Sequence, residues 1–103
     1  MSFLVYMTAA NEEEAHALAK QLVERKLAAC ANIFPGVQSV YTWEGEVVSG
    51  QEVVLILKTS EEKVTLLTQT ARELHSYDIP CILSLPIAGG NPEFLSWIEN
   101  QTR

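Results

Sequence analysis

Three side chains that can bind a metal ion lie within one short segment, at His75, Asp78 and Cys81. They supply an imidazole, a carboxylate and a thiol, which together suit a soft or borderline divalent ion, or a cuprous ion. Two of them have a second interpretation. Cys81 can pack in the core as a small hydrophobic residue, and Asp78 suits a turn. The segment is therefore a candidate metal site, but its cysteine and aspartate can also be explained by purely structural roles.

A second group of candidates consists of aromatic residues and one lysine: Tyr41, Trp43, Lys58 and Trp97. Aromatic walls beside a positive charge are suited to a small anionic molecule, bound in a cleft between subunits. The alternative is that these aromatic residues simply fill an interface between subunits.

The sequence has no complete set of catalytic residues. Neither His16 nor His75 has a nucleophile on a suitable element, and His16 is expected on a solvated helix surface. No glycine-rich phosphate loop or G-x-S-x-G motif is present, and the arginines lie in predicted helices or at the tail. We therefore expect a protein that is not an enzyme.

Composition limits the classes of partner. The 103 residues are 48% hydrophobic, which is consistent with a single folded domain spanning 1–103. A formal net charge of -6 disfavours nucleic acid. No apolar run approaches the roughly 20 residues that span a bilayer, so no membrane partner is expected. With two cysteines, no C-x-x-C motif and no leader-like segment, the sequence predicts a cytoplasmic protein with free thiols.

Hydrophobic periodicity and capping residues predict the elements that must position the candidate residues. Asn11 and Glu14 form a capping-box pattern at the start of the first helix, and Pro92 follows the predicted N-cap of the last helix. The predicted elements are a strand at Phe3–Met7, a helix at 12–28, a long hairpin at 31–58, a helix capped by Ser60 and ending near His75–Tyr77, a strand at Cys81–Leu85 and a helix at 92–101.

The long hairpin carries most of the second candidate group. Strand alternation places Val37, Ser39, Tyr41 and Trp43 on one face. Gly45 allows a tight reversal. Pro35–Gly36 predicts a bend or a bulge, and Ser49–Gly50 predicts a further bulge. The hairpin is too long for so small a domain to bury.

The element order predicts an α+β, ferredoxin-like βαββαβ fold with an extra C-terminal helix and a long β2–β3 hairpin. Right-handed crossovers place both long helices on one face of the sheet. The other face then needs a cover, which partner subunits would provide.

Several segments resemble the signature of the CutA divalent-cation tolerance proteins, in the same order and spacing over nearly the whole chain. They are Leu27–Asn32, Pro35–Gly36, Ser39–Gly45, Leu57–Thr59, His75–Pro80 and Gly90–Ile98.

The resemblance implies a tight homotrimer. Because the hairpin is too long for one domain to bury, we expect the trimer to assemble through the 31–58 hairpin, with Tyr41–Val48 extending a neighbour's sheet. The resemblance also implies an architecture like that of the PII signalling proteins, which bind small effectors between subunits, and a non-enzymatic role in tolerance of divalent metals, chiefly copper. Of the family's metal-binding positions, His75 matches outright. Met7 stands where some members have a cysteine, and Cys81 stands where many have a glutamate.

Overall fold

The chain forms one four-stranded sheet and three α-helices in the predicted order. The computed structural model describes residues 1–103. The elements are β1 (Ser2–Ala9), α1 (Glu12–Glu24), β2 (Cys30–Trp43), β3 (Glu46–Ser60), a 3-10 turn (Glu61–Lys63), α2 (Val64–Leu74), β4 (Ile82–Pro86) and α3 (Pro92–Gln101). The strand order is β2-β3-β1-β4, with every neighbouring pair antiparallel. The ferredoxin-like fold with a C-terminal helix is therefore confirmed.

The hydrophobic core lies between α1, α2 and one face of the sheet. Alternate residues of β1 point into it, and each lies opposite a core residue of β3: Val5 opposite Leu57, Met7 opposite Leu55, and Ala9 opposite Val53. Leu18 and Leu22 of α1 and Leu67 of α2 cover these side chains. Core packing therefore turns the intervening residues of β1 and β3 towards the opposite, open face.

The first helix starts as predicted but ends four residues earlier than the expected residue 28. At its start, Asn11 Oδ1 accepts a 2.8 Å hydrogen bond from the Glu14 amide. At its end, Lys26 adopts a left-handed φ of 60°. The Lys26 amide donates to the Val23 carbonyl and the Leu27 amide to the Leu22 carbonyl, the pattern of a Schellman motif. The apolar stripe continues beyond the helix because Leu27 and Ala28 are buried in the core.

One of the two predicted bulges is present. The β2–β3 register shifts between Phe34 and Val37, where Gly36 has a φ of 72°. The predicted bulge at Ser49–Gly50 is wrong, because these residues continue the regular register opposite Val40 and Ser39. The reversal at Glu44–Gly45 has positive φ at both residues, as a type I′ turn requires.

The start of the second helical segment also differs from the prediction. Ser60 is the last residue of β3 and makes no side-chain cap hydrogen bond. Its hydroxyl oxygen lies 3.0 Å from Thr102 Oγ1 instead, which ties β3 to the end of α3. A 3-10 turn therefore precedes α2, which ends at Leu74, directly before the predicted end near His75–Tyr77.

The open face of the sheet and the hairpin expose apolar side chains. Phe34, Leu83 and Leu85 are all exposed on the open face. The hairpin gives the chain its elongated shape, with extents of 44 × 24 × 21 Å. None of the helices has the length and apolar character needed to cross a membrane.

Candidate functional site

The bulge at Pro35–Gly36 places the hairpin's aromatic residues on the open face of the sheet. Phe34 pairs with Val54, and after one extra residue on β2, Val37 pairs with Glu52. Directly opposed residues share a face, so the face that holds Glu52 also holds Tyr41 and Trp43. Without the extra residue, both aromatic side chains would lie on the opposite face.

These residues form one side of a cleft of about 660 Å³. The loop between α2 and β4 forms the other side, and β1 contributes to the cleft as well. The lining residues are Tyr6, Thr8, Val37, Gln38, Ser39, Val40, Tyr41, Trp43, Glu52, Tyr77, Asp78, Ile79 and Cys81.

The start of α1 fixes the loop that forms this second side. Glu14 Oε1 accepts a 3.0 Å hydrogen bond from the Ala10 amide, which completes the predicted capping pattern one residue before Asn11. Glu14 Oε2 accepts a 2.8 Å hydrogen bond from the Ser76 amide. Burial by itself raises the pKa of Glu14, but the hydrogen bonds from Ala10 and Ser76 and the nearby His75 outweigh it, so the pKa is lowered. Glu14 therefore binds the loop as a carboxylate.

His75 is buried and supports the same loop from beneath. Its Nε2 lies 2.7 Å from the Thr8 carbonyl oxygen, which can only accept, so Nε2 carries the proton. Its Nδ1 accepts a 3.1 Å hydrogen bond from the Tyr77 amide. The rings of His75 and Tyr77 are also in contact, with centroids 4.7 Å apart. Both ring nitrogens are thus engaged within the chain, and His75 positions the loop.

Tyr77 connects the loop to the base of the hairpin. Its hydroxyl donates a 2.8 Å hydrogen bond to Glu52 Oε2. Burial raises the pKa of Tyr77, and its hydrogen bond to Glu52 and that carboxylate's charge raise the pKa further. The tyrosine therefore stays protonated and keeps its hydrogen bond to Glu52.

Cys81 lies in the same cleft, half-buried and with a free thiol. Burial raises the pKa of this thiol, the negative charge of Glu52 raises it further, and a hydrogen bond with Thr8 partly opposes both. A neutral thiol is a poor metal ligand and a poor nucleophile.

The structure brings together two of the three candidate metal ligands. Asp78 and Cys81 both line the cleft, whereas His75 lies behind Tyr77 with both ring nitrogens engaged. No three side chains of histidine, cysteine, aspartate or glutamate converge as metal ligands within the chain. Met7 is fully buried in the core. The residues of a single chain thus do not fit an inner-sphere metal ion, and a bound metal stays a prediction for the assembled protein.

The structure also separates the four residues of the second candidate group, the three aromatic residues and one lysine. Tyr41 and Trp43 line the cleft, each about half exposed, but Lys58 and Trp97 do not. Lys58 donates a hydrogen bond to Asn32 on the open face. Trp97 lies on α3, where it contacts Phe94 with ring centroids 5.3 Å apart. The lysine that suggested an anionic ligand is therefore not part of the cleft within one chain.

Sequence reasoning missed the cleft residues Glu52, Tyr77 and Tyr6. Strand alternation could have identified Glu52, because it lies two residues before Val54 and therefore on the same, open face of β3. Tyr77 carried no comparable signal, because its contact with Glu52 joins residues 25 positions apart through a loop.

The cleft as a whole is aromatic and acidic. Its two charged lining residues are Glu52 and Asp78, and no lysine, arginine or histidine lines it. Such a lining attracts a positively charged group more strongly than an anion.

Comparisons with known proteins agree over the whole chain. The family model described as "CutA1 divalent ion tolerance protein" matches residues 3–101. The rice protein "Protein CutA 1, chloroplastic" is 46% identical over 102 residues, which are 99% of this chain and 58% of that protein. This chain thus spans less than two thirds of the plant relative's length.

Solved structures of similar proteins have the same fold. The structure described as "Divalent cation tolerance protein (Cut A1)" from Thermus thermophilus is 46% identical, with a TM-score of 0.97 and full coverage of both chains. That of the "Periplasmic divalent cation tolerance protein CutA" from Archaeoglobus fulgidus is 43% identical, with a TM-score of 0.97 and full coverage of both chains.

Proposed function

Because this chain belongs to the CutA1 divalent ion tolerance family, we propose that it is a non-enzymatic protein that protects cells against excess divalent metal ions, copper in particular. The observation that carries the proposal is the family match over residues 3–101, supported by relatives of almost the same length named for divalent-cation tolerance.

A non-enzymatic role is supported by the state of the histidines. His16 is exposed on α1, and both ring nitrogens of His75 are hydrogen-bonded within the chain. The raised pKa of Cys81 keeps its thiol protonated. None of these groups is prepared to act as a general base or nucleophile.

The proposed protein is a homotrimer that assembles through the 31–58 hairpin. Its support is the amount of apolar surface that one chain leaves uncovered. Val40 and Val47 near the hairpin tip are 73% and 75% exposed, and the open sheet face adds Phe34, Leu83 and Leu85. Patches of this kind in soluble proteins mark association surfaces. A cytoplasmic location is part of the proposal and rests on the two free thiols.

The functional test is growth under metal stress. We expect this chain to restore copper tolerance to a bacterial strain that lacks its own tolerance gene, when compared with an empty vector. Equal growth inhibition by copper with and without the protein would contradict the proposal. Zinc and cobalt, tested alongside, determine whether the protection is specific for copper.

Direct metal binding is a separate step, with Cys81, Asp78 and His75 as the proposed ligands. Calorimetry with Cu(II), Cu(I) and Zn(II) tests it on the wild type and on Asp78→Asn and Cys81→Ser, which leave the buried His75 untouched. Weaker binding in both variants would support the ligand set. Equal binding in all three proteins would place the metal elsewhere.

The alternative function is a PII-like module that binds a small anionic effector between subunits. The aromatic side chains of Tyr41 and Trp43 in the cleft are the observation in its favour. The two carboxylates of the same cleft and its lack of a basic residue favour a ligand of opposite charge.

A further inference from the structure

The cleft next to the hairpin combines aromatic rings with uncompensated negative charge. Four aromatic side chains line it: Tyr6, Tyr41, Trp43 and Tyr77. The faces of such rings carry negative electrostatic potential and attract organic cations, tryptophan most strongly. At about 660 Å³, the cleft falls in the range of small-molecule sites, roughly 300–1,000 Å³.

The negative charge of the cleft has no positive partner within the chain. Glu52 accepts a hydrogen bond from Tyr77 through Oε2, which leaves Oε1 without a partner in the chain. Lys20 pairs with Glu24, and His75 lies beside Glu14, so neither Glu52 nor Asp78 has a basic partner in the chain. A cation in the cleft would neutralise charge that the fold leaves unpaired.

Within a single chain, the side chains of the cleft offer too few converging ligands for a divalent metal ion. An inner-sphere metal needs several converging ligands, and no group of three histidine, cysteine, aspartate or glutamate side chains converges in the chain. An organic cation needs no coordination geometry, and aromatic faces with one or two carboxylates are sufficient for its binding.

We propose that the cleft formed by Tyr41, Trp43, Tyr77, Glu52 and Asp78 is a binding site for a small organic ammonium ion. The apolar substituents of the cation lie against the rings of Tyr41 and Trp43. Its charge lies near Glu52, which Tyr77 holds in place. This site uses charge and aromatic faces rather than metal coordination, although Asp78 is also one of the proposed metal ligands.

Fluorescence of Trp43 tests the site directly. Trp97 lies outside the cleft, so Trp97→Phe leaves Trp43 as the single indole reporter. The assembled protein is titrated with tetramethylammonium chloride at constant ionic strength, and in parallel with tert-butanol, a neutral molecule of similar size, and with sodium acetate. We expect a saturable change with tetramethylammonium and at least about tenfold weaker binding of tert-butanol.

A matched pair of variants identifies the carboxylate. Glu52→Gln keeps an acceptor for Tyr77 but removes the charge, and we expect it to weaken tetramethylammonium binding about tenfold. Glu62→Gln, in the exposed turn before α2, should leave binding unchanged. Circular dichroism checks that both variants are folded. If one of them does not fold, the comparison of the three ligands on the protein that keeps Glu52 still decides the question.

Each other outcome would overturn the proposal. Equal binding of tert-butanol would mean an apolar site without charge selectivity, and a stronger response to acetate would mean an anion site. Absence of any saturable response would mean that the cleft is closed, as when the hairpin of a second copy fills it. A protein that protects cells from copper but fails this titration would refute only the cation site, since the two measurements share no readout.

Discussion

The hydroxyl group of Tyr77 lies 2.8 Å from Oε2 of Glu52 and donates a hydrogen bond to it. This contact is the direct polar link between the loop after α2 and the base of the hairpin. The loop is itself held by His75 and Glu14, so the start of α1, the loop and the hairpin are coupled through one short chain of hydrogen bonds.

Loss of this hydroxyl should destabilise the protein measurably. In Tyr77→Phe the half-buried Glu52 carboxylate loses a hydrogen-bond donor, so we expect the free energy of unfolding to fall by about 1 kcal/mol. Urea denaturation at fixed protein concentration measures it. The control is Tyr6→Phe, which removes a hydroxyl that makes no hydrogen bond in the chain but lines the same cleft. Equal losses in the two variants would contradict a specific role for the contact.

Glu14 should make the fold sensitive to acid. Its pKa is lowered below the ordinary 4.5 because amide donors from Ala10 and Ser76 outweigh its burial. Because the pKa of Glu14 is lower in the folded than in the unfolded protein, its carboxylate stabilises the fold at pH values above the ordinary pKa. This stabilisation is lost as the pH falls through the folded-state pKa.

The matched pair for this prediction is Glu14→Gln and Glu13→Gln, on the same first turn of α1. At neutral pH we expect Glu14→Gln to be less stable than the wild type by about 1 kcal/mol, a modest amount because the group is close to solvent. The difference should close as the pH falls below 4.5, the ordinary value for this group. Thermal unfolding across this pH range measures it, and Glu13→Gln should follow the wild type throughout. A constant gap between Glu14→Gln and the wild type would contradict the assignment.

Cys81 should be slow to react with alkylating reagents, and Glu52 should be part of the reason. Burial and then Glu52 raise the pKa of the thiol above its ordinary 9.0, which lowers the thiolate fraction at pH 8. In a Cys30→Ser background, we expect Glu52→Gln to increase the rate of iodoacetamide labelling about two- to threefold, as followed by mass spectrometry. Glu62→Gln serves as the control. A slower reaction in Glu52→Gln would reverse the sign of the inferred effect.

The elements could be predicted from the sequence because their signals are local. Periodicity, caps and the Pro35–Gly36 pair each act over a few residues, and the structure confirms the element order and that bulge. The end of α1 was misplaced because Lys26 adopts the left-handed conformation that glycine usually takes, and no sequence rule distinguishes it.

The candidate site was less predictable because it depends on the path of a loop. Strand alternation correctly placed Tyr41 and Trp43 on one face, but the partner of that face could not be inferred from local spacing. Tyr77 reaches Glu52 only because Glu14 and His75 hold the intervening loop. Lys58 is predicted in a cleft between subunits, which a single chain does not test; within the chain, the register places it opposite Leu4 and Cys30, outside the cleft.

Two glycines of the hairpin should respond oppositely to the same substitution. Gly36 has a φ of 72°, and a Cβ added there would meet no atom within 4 Å, so Gly36→Ala costs backbone strain alone, about 1 kcal/mol. Gly50 has the same open surroundings but no positive φ, so Gly50→Ala should be neutral or slightly stabilising. Urea denaturation of both variants checks the difference. Equal destabilisation of the two variants would mean that the positive φ at Gly36 does not determine the cost of the substitution.

Assembly through the hairpin should depend on its exposed apolar face. Val40 and Val47 lie on the same face near the tip, with 73% and 75% of their surfaces exposed. Burial of apolar surface gives about 25 cal/mol per Å², so two lysines at these positions would remove apolar contact area and add like charges at each copy of the interface. We expect the Val40→Lys/Val47→Lys variant to sediment as a monomer at micromolar concentration, where the wild type sediments as a trimer. Leu66→Lys, which places a charge at an exposed leucine of α2, should sediment like the wild type. A wild-type monomer at this concentration would refute the assembly, and a trimeric double variant would place the interface on the open face of the sheet instead.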